Sequence, residues 1–139
     1  MFKFYNISTI LLATTLSNNA LADCSSPILT DTELMAILPG HIACVVNGTG
    51  GWENQEEHIG SAGDSSGDLY DYKEGNLPTS IDKREQLGTW SISDNKIHYS
   101  YSGGDSFSFD LHTNGGDSYT FCGPATVNAT IKVNNGNGC

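Results

Sequence analysis

A chain of 139 residues with 16 acidic and 6 basic side chains carries a formal net charge of −10, which repels nucleic acid phosphate and anionic lipid headgroups. A charged content of 16%, together with 2 Trp, 6 Tyr and 5 Phe, excludes an acidic disordered tail, and the length fits one domain. Beyond the first 22 positions no apolar run reaches the roughly 18 residues that a spanning helix needs.

Those first 22 residues have the form of a secretory leader. Lys3 precedes the apolar, Ser/Thr-dotted run from Ile7 to Leu16, and Ala20-Leu21-Ala22 supplies small residues at the −3 and −1 positions of a signal peptidase site. Cleavage after Ala22 divides the chain into a leader, 1–22, and a single secreted or periplasmic domain, 23–139. Asp23 stands where a lipobox needs a small neutral residue, which argues against lipidation of Cys24. The four cysteines, Cys24, Cys44, Cys122 and Cys139, are an even number in an oxidising compartment and predict two disulfides. No CxxC pair is present to build a structural zinc site.

In chain order, Thr30-Asp31-Thr32-Glu33 is a capping box, and Leu29 with Leu34 fits a hydrophobic staple. Leu34, Ile37 and Leu38 recur at helical spacing until Pro39-Gly40 ends the helix after about two turns. From His41 onward the hydrophobic period becomes two and turn residues recur at short intervals, the pattern of an antiparallel meander. Eight strands are predicted: His41 to Val46, Trp52 to Ile59, Asp68 to Lys73, Gln86 to Ser93, Lys96 to Ser102, Ser106 to His112, Ser118 to Cys122 and Ala125 to Val133. Asn47-Gly48, Asp94-Asn95, Gly103-Gly104 and Asn114-Gly115-Gly116 supply the turns.

The later strands alternate cleanly. Trp90, Ile92, Ile97, Tyr99, Tyr101, Phe107, Phe109, Leu111, Tyr119, Phe121, Val127, Ile131 and Val133 share one face, while Thr89, Ser91, His98, Ser100, Ser108, Asp110, His112, Thr120, Asn128 and Lys132 share the other. So long a sheet leaves its apolar face wet unless it closes, and eight strands enclose an interior that side chains fill or that holds one small ligand. The predicted fold is an all-β, eight-stranded, antiparallel up-and-down barrel with a short N-terminal helix as a plug. In such a barrel Cys122 and Cys139 fall at opposite ends, which points to pairing Cys24 with Cys139 and Cys44 with Cys122.

The strand Leu87-Gly88-Thr89-Trp90-Ser91-Ile92 resembles the Gly-x-Trp strand of lipocalin-like and avidin-like barrels, where it is the first strand; here it is the fourth. The resemblance implies a calycin-like barrel with a ligand-holding interior. Trp52-Glu53-Asn54-Gln55-Glu56-Glu57-His58, Asp71-Tyr72-Lys73 and Tyr119-Thr120-Phe121-Cys122 are similar to segments of small secreted bacterial proteins of uncharacterised function, a likeness that implies no activity.

Three functional readings follow. The favoured one is a non-catalytic binding protein holding a small apolar or aromatic ligand against Trp90, Tyr99, Tyr101 and Phe109. The second is a protein-interaction or inhibitor module with a solid core, using loops Gly48 to Trp52 and Gly75 to Glu85. The third is a divalent-metal site at Glu57, His58 and Asp71, for which one imidazole and two carboxylates are a reasonable donor set. No Gly-x-Ser-x-Gly elbow occurs, His98 and His112 are placed on the outer face as exposed titratable groups, and neither a catalytic constellation nor a cofactor is expected.

Overall fold

The structure, a computed structural model, describes residues 24–46, 52–72, 84–134, 136, 138 and 139. The leader, the Asn47-Gly48 turn and most of the loop from Gly75 to Glu85 lie outside the described residues. The elements in order are α1 (Asp31–Ile37), β1 (His41–Val46), β2 (Trp52–His58), β3 (Ser66–Tyr72), β4 (Arg84–Ser93), β5 (Lys96–Tyr101), β6 (Ser106–Gly115), β7 (Ser118–Cys122) and β8 (Thr126–Val133). Each strand pairs antiparallel with the next and β8 returns to β1, so the eight strands form the closed up-and-down barrel that the alternation predicts. Among the described residues no helix is long and apolar enough to cross a membrane.

The helix forms where its caps are written. Thr30 accepts from the Glu33 amide while the Thr30 amide donates to Glu33 Oε2 at 2.8 Å, which holds the Glu33 carboxyl below its ordinary pKa. A second lock is tertiary. The Asp31 amide donates to Asn95 Oδ1 at 3.0 Å and the Asn95 amide to Asp31 Oδ1 at 2.7 Å, fixing the helix start to the β4–β5 turn. In that turn Asp94 and Asn95 have φ of 56° and 58°, the paired positive values of a type I′ hairpin, which Asn and Asp tolerate better than other side chains. The Gly63 amide, in the β2–β3 loop, donates to the Met35 carbonyl at 2.9 Å. Leu34 and Leu38 then close this end of the barrel, fully buried in the same core as Leu69, Trp90, Ile92 and Ile97.

The Gly-x-Trp segment has a local physical reason. At Gly88 a Cβ would meet the Ser100 carbonyl oxygen at 2.0 Å, so only glycine lets β4 lie this close to β5 beside the irregularity in the β3–β4 ladder. Trp90, two residues on, is buried and donates its indole N–H to the Ile59 carbonyl at 3.2 Å. Gly67, opposite Trp90 on β3, leaves that ring its place: a Cβ there would lie 2.9 Å from the indole nitrogen.

Residues 24–29 and the described residues of 134–139 lie on the outside of the barrel, and each stretch is held by a disulfide. Residues 24–29 run over β6, with the Leu29 amide donating to the Leu111 carbonyl at 2.9 Å and Ile28 bridging to His112. Cys24 is bonded to Cys122. At the other terminus Cys139 is bonded to Cys44 and packs on Ile42, while the Cys139 amide donates to Gln55 Oε1 at 2.8 Å. This corrects the expected pairing of Cys24 with Cys139 and Cys44 with Cys122. Cys44 stands opposite Thr130 and Cys122 opposite Thr126 on the intervening β8, which puts about 13 Å of strand rise and about 9.6 Å of sheet width between them. A disulfide needs Cα atoms within about 7 Å, and both observed bridges have 5.9 Å.

The same covering corrects the placement of His112. It does face outward, yet it is buried, because the N-terminal segment lies over it and the Ser26 carbonyl meets its Nδ1 at 2.5 Å. His98 is part-exposed and bonded to the Ser108 hydroxyl at 2.7 Å.

Candidate functional site

The end of the barrel opposite α1 is formed by the last residues of β1, β3, β5 and β7 and the first of β2, β4, β6 and β8. A cavity of about 120 Å³ opens there, lined by Ala43, Val45, Asn54, Glu56, Tyr99, Tyr101, Phe109, Phe121 and Val127. Strand parity explains this set. Tyr99 and Tyr101 alternate on β5, Phe109 arrives on β6 at the level of Ile97, and Phe121 faces Val127 across the β7–β8 ladder. Their rings form a continuous run, with centroids 6.2 Å apart for Tyr99–Tyr101, 6.0 Å for Tyr99–Phe109 and 6.0 Å for Phe109–Phe121. The last two pairs meet edge to face, the arrangement aromatic quadrupoles favour.

One wall of this apolar chamber carries a carboxyl group. Glu56 lies opposite Ala43 on β1 and opposite Asp71 on β3, so it points inward, and Tyr101 donates its hydroxyl to Glu56 Oε1 at 2.8 Å. Burial raises the Glu56 pKa; the Tyr101 hydrogen bond opposes that rise and the neighbouring Asp71 charge adds to it. Tyr101 is in turn pushed upward by burial and by the Glu56 charge.

Below the cavity, His58 and Tyr99 are bonded at 2.8 Å between Nε2 and the phenol oxygen, and His58 is fully buried with the Trp90 ring 5.8 Å away. Burial lowers the His58 pKa to about 4, with the His41 and Glu56 backbone only partly offsetting it. The same burial, with the Glu56 and Tyr101 charges nearby, drives the Tyr99 phenol well above its ordinary value. The imidazole and both phenols are therefore neutral at neutral pH.

No family model, curated protein or solved structure matches this chain.

Of the four residues assigned to a ligand, Tyr99, Tyr101 and Phe109 line the cavity together. Trp90 shares their face but lies deeper, in the core shared with α1. Of the metal trio, His58 and Asp71 face inward while Glu57 does not. Glu57 pairs with Ile42 on the outer face, accepts from Asn134 Nδ2, and meets Arg84 Nε at 2.5 Å. Adjacent residues on a strand point to opposite faces, so Glu57 and His58 cannot converge on one ion from β2. Among the described residues no group of three or more His, Cys, Asp or Glu side chains is arranged to hold a metal. The inward glutamate is Glu56, which the sequence does not single out because Trp52-Glu-Asn-Gln-Glu-Glu-His has no apolar alternation to show which side faces in. A clue was present in Ala43, whose place in the register of β1 sets the parity of Glu56.

The buried imidazole predicts a pH dependence. An unfolded chain takes up a proton at His58 near pH 6.5 and the folded one only near pH 4, so the unfolded state binds more protons between these values and stability falls as pH falls through that window. The expected loss is roughly 3 kcal/mol, complete below pH 4 and absent above 6.5. Glu56, whose pKa is raised, contributes with the opposite sign, since its stabilisation fades as pH rises past its ordinary value. Comparing the parent with His58→Gln by urea unfolding at pH 4 and pH 7 cancels the Glu56 contribution. The difference between the two proteins should shrink by most of that amount at pH 4; an unchanged difference would show that His58 is protonated in the fold.

Proposed function

We propose that this protein is a secreted or periplasmic, non-catalytic binding protein that takes a small, mainly apolar or aromatic molecule into the mouth of its barrel. The observation that carries this reading is the cavity of about 120 Å³ walled by Tyr99, Tyr101, Phe109, Phe121 and Val127, in a barrel whose other end is filled by Leu34 and Leu38. Its size matches one ring: dry apolar cavities of about 150 Å³ take benzene. A blind chamber with apolar walls and a few polar groups is the ordinary form of a small-molecule site. The Gly-x-Trp resemblance and the two disulfides support a calycin-like binding protein of an oxidising compartment.

Titration calorimetry with benzyl alcohol tests it. A ligand of this size is expected to bind in the millimolar range or tighter. Val127→Phe, which fills the chamber from β8, should abolish binding without lowering the melting temperature. No heat in the parent protein, or equal binding by parent and variant, would refute the reading.

A further inference from the structure

We infer that the ligand carries a compact positive charge: an ammonium group on an apolar or aromatic body, with Glu56 as its counter-ion. The inference rests on the binding reading above and follows from the composition of the cavity wall. Among the described residues its lining includes one carboxylate, Glu56, and no Lys, Arg or His, while three of the rings, Tyr99, Tyr101 and Phe109, present π systems to the same space. Aromatic faces and a carboxylate together form a cation site, because the ring quadrupole and the anion act in the same direction once water is displaced.

The neighbourhood of Glu56 points the same way. Asp71 stands directly across the β2–β3 ladder from it, and Glu85 directly across the β3–β4 ladder from Asp71, so three acids share one row over three adjacent strands. Tyr101 acts as a positioning residue: its hydroxyl holds Glu56 Oε1 and fixes the carboxylate at the wall. A strongly acidic chain, −10 overall, also raises the local concentration of cations at the mouth.

The experiment compares benzylammonium with benzyl alcohol, two probes of nearly one shape, at pH 7 and 150 mM salt. On the parent protein benzylammonium should bind at least tenfold more tightly, and this comparison needs no variant. Glu56→Gln keeps the shape of the wall and should bring the two affinities within about twofold of each other. Val127→Phe should lose both probes, which separates the chamber from attraction to the acidic surface. In a carbon-detected NMR titration the Glu56 carboxyl resonance should move with benzylammonium and not with the alcohol. Equal affinities in the parent, or a preference that survives Glu56→Gln, would overturn the cation inference and leave the binding reading standing. Failure of both probes to bind the parent would overturn the binding reading itself.

Discussion

Replacing Cys44 and Cys139 together by alanine is expected to lower the stability of the domain by about 2 to 5 kcal/mol. The bridge spans 95 residues, and a closed loop of that length removes much conformational freedom from the unfolded chain, about 4.7 kcal/mol in the chain-entropy account. The folded state also loses contacts, because the bridge anchors the C-terminal segment over the outer face of β1 and β2. There Ile42 and Cys44 are buried against Cys139, Gln55 accepts from the Cys139 amide, and Glu57 is held by Asn134. Alanine is the right replacement because Cys44 is 1% exposed, where a serine hydroxyl would add a desolvation cost of its own. Cys24→Ala with Cys122→Ala opens a comparable span of 98 residues and should cost a similar amount. Urea unfolding of each double variant gives the values directly, and a loss below about 1 kcal/mol in either would show that its terminal segment does not need the bridge.

Trp90→Ala should be the most damaging single substitution, at about 3 to 5 kcal/mol. The side chain is 1% exposed in the core that joins the barrel to α1. Its removal leaves a void under Leu34 and Leu38, deprives the Ile59 carbonyl of the indole N–H, and takes the edge contact from His58. Phe107→Ala is the contrast. Phe107 shares the inward parity but is 40% exposed at the rim, against Tyr101, so its truncation should cost under about 1 kcal/mol. Guanidinium unfolding of the two variants checks the order, and equal losses would contradict the placement of Trp90 at the sealed end.

The barrel could be read in advance from β4 to β8 because each of those strands has one face in the core and the other turned outward. Thr30 to Glu33 announced the helix, and Asp94-Asn95 the hairpin that follows β4. The legibility fails at β2 for a physical reason: both of its faces are covered and both are polar. Glu56 faces the cavity, and Gln55 and Glu57 are buried beneath the C-terminal segment, so no alternation of polar and apolar residues marks the inward side. Terminal segments that lie on an outer face leave no periodic trace either. That is why His112 read as exposed, and why the disulfides were expected to join strands and rims when they join strands to overlying tails. The ring cluster of the site was visible in Tyr99, Tyr101 and Phe109. Its carboxyl-bearing wall was not, since the bond between Glu56 and Tyr101 joins residues 45 apart.

For a ligand to enter and be held, the chamber must open at one end of the barrel and be sealed at the other. Mapping benzyl alcohol onto the parent protein by methyl and aromatic NMR tests this most directly. The predicted shifts fall on Ala43, Val45, Phe109, Phe121 and Val127, with Leu34, Leu38 and Ile92 unmoved. Shifts centred on the α1 end, or on outward residues such as Ser108 and Thr130, would contradict it.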